Sequence, residues 1–120
     1  MKRRLSLAGI WIVSVLEALA MGIAGLSKFG GGGRWQVLFI GWGYPVWFSY
    51  VIGVLEVGGA LALLAPRIAA PAAMMLGGIM IGAALTLITH PGPMGWATPV
   101  VHFGLLAVIA IARFRTGSDE

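Results

Sequence analysis

Four long apolar segments constrain this chain more than any other feature of its sequence. They cover residues 5–26, 46–64, 68–89 and 97–113, and each approaches the roughly 20 residues that a helix needs to cross about 30 Å of hydrocarbon. The mean hydropathy of the chain is +0.96, and only 10% of its residues are charged, far from the balance of a soluble domain. The sequence therefore predicts an all-α integral membrane protein, a four-transmembrane-helix bundle that forms a single domain over residues 1–120.

The longest connection, residues 27–45, combines four consecutive glycines with a short apolar and aromatic stretch. Regular structure is costly at Gly30–Gly33, because glycine loses the most backbone freedom on ordering. Residues 34–40 are too few to cross a bilayer, and the aromatic residues around them are typical of a belt at headgroup level. We expect a short interfacial or re-entrant helix between the first two spans.

The basic residues predict the orientation of the spans. One side of the membrane receives six of them, and the other side receives only Lys28 and Arg34. Because cytoplasmic loops carry the excess of Lys and Arg, both termini should lie in the cytoplasm of a bacterial-type inner membrane, with residues 27–45 outside. The six on the cytoplasmic side are Lys2, Arg3, Arg4, Arg67, Arg113 and Arg115.

The placement of these charges also bears on partners. They flank apolar segments and form no stripe on a soluble surface, so we expect no nucleic-acid partner. Membrane lipids, other membrane subunits or further copies of the chain are the expected partners. In the third span, Gly78 and Gly82 lie four residues apart, which predicts a face for close helix packing within the bundle or against another subunit.

The absence of cysteine limits the redox chemistry of the chain. It excludes thiolate metal sites, iron–sulfur clusters and thiol exchange. His90 and His102 should lie at different depths, which argues against a shared haem. We therefore predict no metal site and no intrinsic cofactor, and any redox role would need a borrowed group such as a bound quinone.

Ionisable residues inside the spans are the candidates for function, because they usually face the interior of a bundle. Glu17 and Glu56 each lie about nine residues, or roughly 14 Å, from the outer face, which predicts a common depth and a shared proton. Such a pair would suit proton exchange or a hydrogen bond to a carbonyl ligand, although it would equally serve to join neighbouring helices. No catalytic residue is assigned. The candidates for binding a ligand or a proton are Glu17, Lys28, Glu56, Thr86, His90 and His102, with Lys28 and His90 at the membrane rim.

Three stretches, "GLSKF", "GWGYPVWFSYVIGVLEVGGALALLAPR" and "PAAMMLGGIMIGAALTLITH", give the chain a family resemblance. Between about residues 25 and 90 it resembles the DoxX-like family of small four-helix membrane proteins. The family pattern combines Gly-x-x-Lys, Gly-x-x-Glu-x-x-Gly, an Arg after the hairpin and a His that ends the third helix. Glu17 lies outside this pattern. The matching positions are Gly25, Lys28, Gly53, Glu56, Gly59, Arg67 and His90.

The resemblance and the composition together support three hypotheses. The family is named for a subunit of a thiosulfate:quinone oxidoreductase, which implies an accessory or structural subunit of a quinone-linked electron-transfer complex that stabilises partners and holds lipid or quinone. The second hypothesis is a self-contained quinone- or lipophile-dependent membrane oxidoreductase. The third is a small proton or solute pathway, which the two carboxylates favour but which lacks the usual inverted repeat.

Overall fold

The computed structural model describes residues 2–92 and 95–118, and within this part the chain forms five α-helices and no strand. Four of the helices are long and apolar enough to cross a membrane, whereas the second has only 8 residues. The predicted all-α, four-helix membrane class is confirmed. Two residues of the predicted 90–99 linker, Pro93 and Met94, lie outside the described residues. The helices are α1 (Lys2–Ser27), α2 (Arg34–Gly41), α3 (Val46–Leu63), α4 (Ala69–Thr89) and α5 (Ala97–Ser118).

The four long helices form a closed ring in which α1 packs on α3, α3 on α4, α4 on α5, and α5 back on α1. The α1–α3 and α4–α5 interfaces are the most extensive, and the α1–α5 interface is the least. Leu63, Leu76, Leu106 and Ile109 are almost fully buried at the centre. Large apolar side chains are exposed on the outside of all four helices, where they contact lipid.

The ring has two ends, which we name by a residue. At the Lys28 end, α1 and α4 finish while α3 and α5 begin; at the Arg67 end, a short turn over residues 64–68 joins α3 to α4. Pro71 lies in the first turn of α4, where a missing backbone N–H costs no helical hydrogen bond. The brevity of this turn makes α3 and α4 an antiparallel hairpin.

Glycines set the closest approach between α1 and α3. A methyl group added to Gly25 would lie 2.7 Å from the carbonyl oxygen of Gly53, and one added to Gly53 would lie 3.0 Å from the carbonyl oxygen of Gly25. Gly59 allows α4 to approach in the same way, since a methyl group there would lie 2.8 Å from Leu76 Cδ2. These three glycines therefore act through helix packing.

The prediction that Gly78 and Gly82 mediate close packing within the bundle is wrong. A methyl group on either residue would meet no atom within 4 Å. Both glycines are exposed and line a partly open cavity described below. Packing of this face against another subunit stays a prediction.

The segment between α1 and α3 turns back over the Lys28 end. Gly32 and Gly33 have φ values of 69° and 81°, a left-handed conformation that glycine adopts without steric cost. They belong to a short 3-10 turn, Gly31–Gly33, in which Gly32 departs from helical backbone angles. The turn directs α2 onto α3, where Phe39 is buried. This helix is the short segment predicted over residues 34–40.

Candidate functional site

A buried ion pair joins α1 to α3 at the Lys28 end. Lys28 Nζ lies 2.5 Å from Glu56 Oε1, and the two side chains are only 6% and 3% exposed. The ammonium also lies 3.5 Å from the carbonyl oxygen of Ala24 and 4.2 Å from the ring centroid of Trp35, a cation–π contact. Lys28 was expected at the membrane rim, and its burial beneath α2 corrects that prediction.

The glycine spacing explains why these two charges meet. Lys28 follows Gly25 by three residues and Glu56 follows Gly53 by three, so each charge lies about one turn from the point of closest helix approach. Helical side chains tilt toward the N-terminus of their helix. Because α1 and α3 run in opposite directions, Lys28 reaches down into the bundle while Glu56 reaches up toward the Lys28 end. The same Gly-x-x spacing on both helices thus brings the two opposite charges together.

Gln36, which the sequence analysis did not single out, holds α2 over this ion pair through two hydrogen bonds. Gln36 is buried, and its Nε2 donates to the carbonyl oxygen of Lys28 at 2.8 Å and to Ser49 Oγ at 3.0 Å. Ser49 in turn donates to the carbonyl oxygen of Val46 at 2.7 Å. A lone glutamine in the apolar "RWQVLFI" was the available signal, since a buried amide needs hydrogen-bond partners.

Glu17 pairs with His102 and joins α1 to α5. His102 Nδ1 lies 2.8 Å and 3.0 Å from the two carboxylate oxygens of Glu17. The Glu17 side chain is 2% exposed and that of His102 is 24% exposed. Glu17 and Glu56 therefore have different partners, and the prediction of a shared proton is wrong.

The predicted common depth of the two carboxylates is also wrong. Gly25 lies two residues before the end of α1, whereas Gly53, which it contacts, lies seven residues after the start of α3. Helix α3 therefore extends at least five residues, or about 7.5 Å, beyond the end of α1. The depth estimate failed because it assumed that the spans begin at one level.

Lys28, Glu56 and His102 line a partly open cavity of about 720 Å³ in the Lys28 half of the bundle. Its wall is mostly apolar and receives residues from all five helices, including Phe39, Met75 and Ile79. Four of the predicted candidates line the cavity: Lys28, Glu56, Thr86 and His102. Glu17 is not a lining residue, so the cavity meets the Lys28–Glu56 pair directly and the Glu17–His102 pair through its histidine.

A family model described as the DoxX-like family matches residues 12–110. The chain belongs to the DoxX-like family. This match confirms the resemblance seen in the sequence and extends it from α1 into α5, and it identifies a small multi-pass membrane protein. No curated protein and no solved structure matched the chain.

Most positions of the DoxX-like pattern lie together in this structure. Gly25, Lys28, Gly53 and Glu56 form the α1–α3 contact at the cavity, and Gly59 continues it toward α4. The two remaining positions, Arg67 and His90, are exposed at opposite ends of the bundle. Five of the seven pattern positions therefore lie where α1, α3 and α4 pack together, and the other two lie elsewhere.

His90 ends α4 outside the cavity wall. Its Nδ1 lies 3.1 Å from Thr89 Oγ1 and 3.3 Å from the carbonyl oxygen of Thr86. The carbonyl oxygen of Thr86 already accepts from the backbone N–H of His90 at 2.9 Å, so the His90 ring adds a side-chain contact at the end of α4. His90 therefore contacts the backbone of Thr86 but does not line the cavity.

Thr86 anchors the loop that follows α2, through a tyrosine that sequence reasoning had assigned only to the aromatic belt. The Thr86 hydroxyl lies 2.8 Å from the carbonyl oxygen of Gly82, to which it donates its one proton. The Tyr44 hydroxyl, 2.7 Å away, is therefore the donor to Thr86 Oγ1. This hydrogen bond joins the loop after α2, which lines the cavity, to α4.

The arrangement combines an apolar space with a few polar groups that can fix the orientation of a ligand. The Lys28 ammonium can donate hydrogen bonds, and Glu56 holds it in place. The Thr86 hydroxyl and the His102 ring offer further polar contacts along the wall. Such a site suits an apolar molecule with one polar or hydrogen-bonding head.

Proposed function

We propose that this DoxX-like protein is an accessory subunit of a quinone-linked electron-transfer complex, in which its cavity holds a quinone or a similar lipophile. The observation that carries the proposal is an apolar cavity of about 720 Å³ with the buried Lys28–Glu56 pair in its wall. This volume falls within the roughly 300–1,000 Å³ of small-molecule sites. The mixture of apolar wall and buried charge is costly to maintain for packing alone.

The wall residues suit the two parts of such a ligand. The aromatic and aliphatic side chains of Phe39, Met75 and Ile79 would contact a ring and an apolar tail. A carbonyl oxygen would accept a hydrogen bond from the Lys28 ammonium, which has three donors and uses one on Glu56 and one on the carbonyl oxygen of Ala24. Glu56 keeps the ammonium facing the cavity when the ligand is absent.

The amino-acid composition favours a subunit of a complex over a self-contained oxidoreductase. The 120 residues include no cysteine, so electrons would reach a bound quinone from a partner. Exposed apolar side chains on every span offer surfaces for lipid or for partner helices. We place the protein in a bacterial-type inner membrane with both termini in the cytoplasm, following its Lys and Arg distribution.

The first test asks which small molecules and which protein subunits are purified together with the protein. After mild detergent extraction, chromatography and mass spectrometry of an organic extract should find bound quinone, and protein mass spectrometry should find stoichiometric subunits. The double variant Lys28→Gln/Glu56→Gln removes both charges together and should lose about 10-fold or more of the quinone, the value of a charge-assisted hydrogen bond. Arg34→Gln, at an exposed basic residue of the same end, is the matched control and should retain it.

Two results would contradict the proposal. One is a purified protein that carries no quinone and binds no added decyl-tailed benzoquinone. The other is a double variant that retains as much quinone as the Arg34→Gln control. A solitary homo-oligomer with bound quinone would keep the ligand assignment but favour the self-contained oxidoreductase.

The orientation can be tested separately because the chain has no cysteine. Gly92→Cys places a single thiol at the Lys28 end, and Pro66→Cys places one at the Arg67 end; both positions are exposed. A membrane-impermeant maleimide should label Gly92→Cys in spheroplasts and Pro66→Cys only after permeabilisation. The reverse pattern would contradict the assigned orientation.

A further inference from the structure

The Glu17–His102 pair has a geometry that joining two helices does not require. Glu17 approaches His102 Nδ1 with both oxygens, at 2.8 Å and 3.0 Å. Two carboxylate oxygens around one nitrogen can both accept from an N–H, so we assign the proton to Nδ1. Glu17 is buried, whereas the His102 side chain is 24% exposed and lines the cavity.

The assignment of Nδ1 determines what the other ring nitrogen can do. In a neutral imidazole with its proton on Nδ1, Nε2 carries a lone pair and only accepts hydrogen bonds. Glu17, on α1, is not among the residues that line the cavity, and its two carboxylate oxygens hold the His102 ring at Nδ1. The carboxylate–histidine arrangement is the one that proteins use elsewhere to fix the tautomer of a functional histidine.

We infer that His102 Nε2, positioned by Glu17, accepts a hydrogen bond from a hydroxyl group of the ligand, so that the cavity prefers a quinol to the corresponding quinone. This inference rests on the proposed function and specifies the form of the ligand. A quinone offers only carbonyl oxygens, and these would face the lone pair of Nε2 without a donor. A quinol offers hydroxyl protons to His102 and an oxygen that can accept from Lys28.

The size of the preference follows from one hydrogen bond. A buried polar group that loses its partner is costly, and a site built around a hydroxyl discriminates strongly against an analogue that lacks it. We expect the quinol to bind about 10-fold or more tightly than the quinone. The residue that faces the ligand is His102, and Glu17 is a positioning residue.

The experiment uses the full chain in nanodiscs with two probes, a decyl-tailed benzoquinone and its quinol kept reduced under anaerobic conditions. Trp35 and Trp42 line the cavity, so quenching of tryptophan fluorescence reports binding without a label. The double variant Glu17→Leu/His102→Phe replaces the pair by apolar side chains and leaves no unpaired buried charge. It should bring the ratio of the two affinities to about one.

Two further variants separate positioning from a general loss of structure. Glu17→Gln keeps the volume but offers one acceptor in place of two, and it should reduce the quinol preference without abolishing it. Thr89→Val removes a hydroxyl that lies outside the cavity wall, and it should leave the ratio unchanged. Circular dichroism of each variant identifies any that fails to fold.

The outcomes distinguish the inference from the proposed function. If the wild-type protein binds neither probe, both are overturned. If it binds both forms equally, or the quinone more tightly, the proposed function stands and the inference is overturned. A double variant that retains the wild-type preference for quinol would overturn the inference as well.

Discussion

Removing one member of the Lys28–Glu56 pair should destabilise the protein far more than removing both. Each single change leaves a charge whose partner lies 2.5 Å away in the present structure, with side-chain exposures of 6% and 3%. Uncompensated charges of this kind cost about 3–5 kcal/mol. Replacing both charges by neutral residues of similar volume is often close to neutral, so Lys28→Met/Glu56→Gln should cost no more than the cation–π contact with Trp35, about 0.5–2 kcal/mol.

The two single variants should also differ from each other. After Glu56→Gln, the Lys28 ammonium can leave the bundle, because Lys28 directly follows the last residue of α1 and its stem can extend toward the headgroups. After Lys28→Met, Glu56 has no such route, since it lies ten residues after the start of α3. We therefore expect Lys28→Met to lower the free energy of unfolding by about 5 kcal/mol and Glu56→Gln to lower it by about 3 kcal/mol or less.

The assay is reversible unfolding in mixed detergent and SDS micelles, followed by far-ultraviolet circular dichroism. The free energies of unfolding of the wild-type protein, the two single variants and the double variant form a double-mutant cycle, with an expected coupling of about 2 kcal/mol or more. Arg34→Met, at an exposed position, is the control and should change stability by less than about 0.5 kcal/mol. If the double variant loses the sum of the two single losses, the pair does not stabilise the α1–α3 contact and our reasoning is refuted.

Three other substitutions, with Gly9→Ala as a control for the first, test helix packing and buried hydrogen bonds by the same unfolding assay. Gly25→Ala should destabilise by about 1–3 kcal/mol, because its methyl group would lie 2.7 Å from the Gly53 carbonyl oxygen, whereas Gly9→Ala, which meets no atom within 4 Å, should be neutral or stabilising. Tyr44→Phe should cost about 0.5–1.5 kcal/mol through its lost bond to Thr86, and an unchanged stability would contradict that assignment. Ser14→Ala should be neutral or stabilise by about 1 kcal/mol, since the Ser14 hydroxyl is buried without a hydrogen-bond partner among the described residues; a clear loss would reveal one.

The class of fold follows from the sequence because the physical requirement is simple. A span needs length and apolar composition, and both are visible in each segment. The short helix at Arg34–Gly41 was visible for the same reason, since it is apolar but too short to cross. The helix pairings were not visible, because ring order depends on which small residues meet, and 19 glycines offer many choices.

The sequence predicted most residues of the candidate site but did not predict which of them contact each other. Burial of ionisable groups in lipid is expensive enough to mark Glu17, Glu56 and His102. Their pairing depends on relative shifts of the helices along the bundle, and a shift of a few residues was enough to give each carboxylate a different partner. Gln36 was overlooked because one amide in a short helix carries little weight until its burial is known.

Lys28 links three helices. It ends the first span, its carbonyl oxygen holds α2 through Gln36, and its ammonium holds α3 through Glu56 while resting on Trp35. A molecule that draws this ammonium toward itself therefore pulls on the covering helix and on the α1–α3 contact together. Under the proposed function, a ligand in the cavity would in this way alter the position of α2, the helix that a neighbouring subunit could contact.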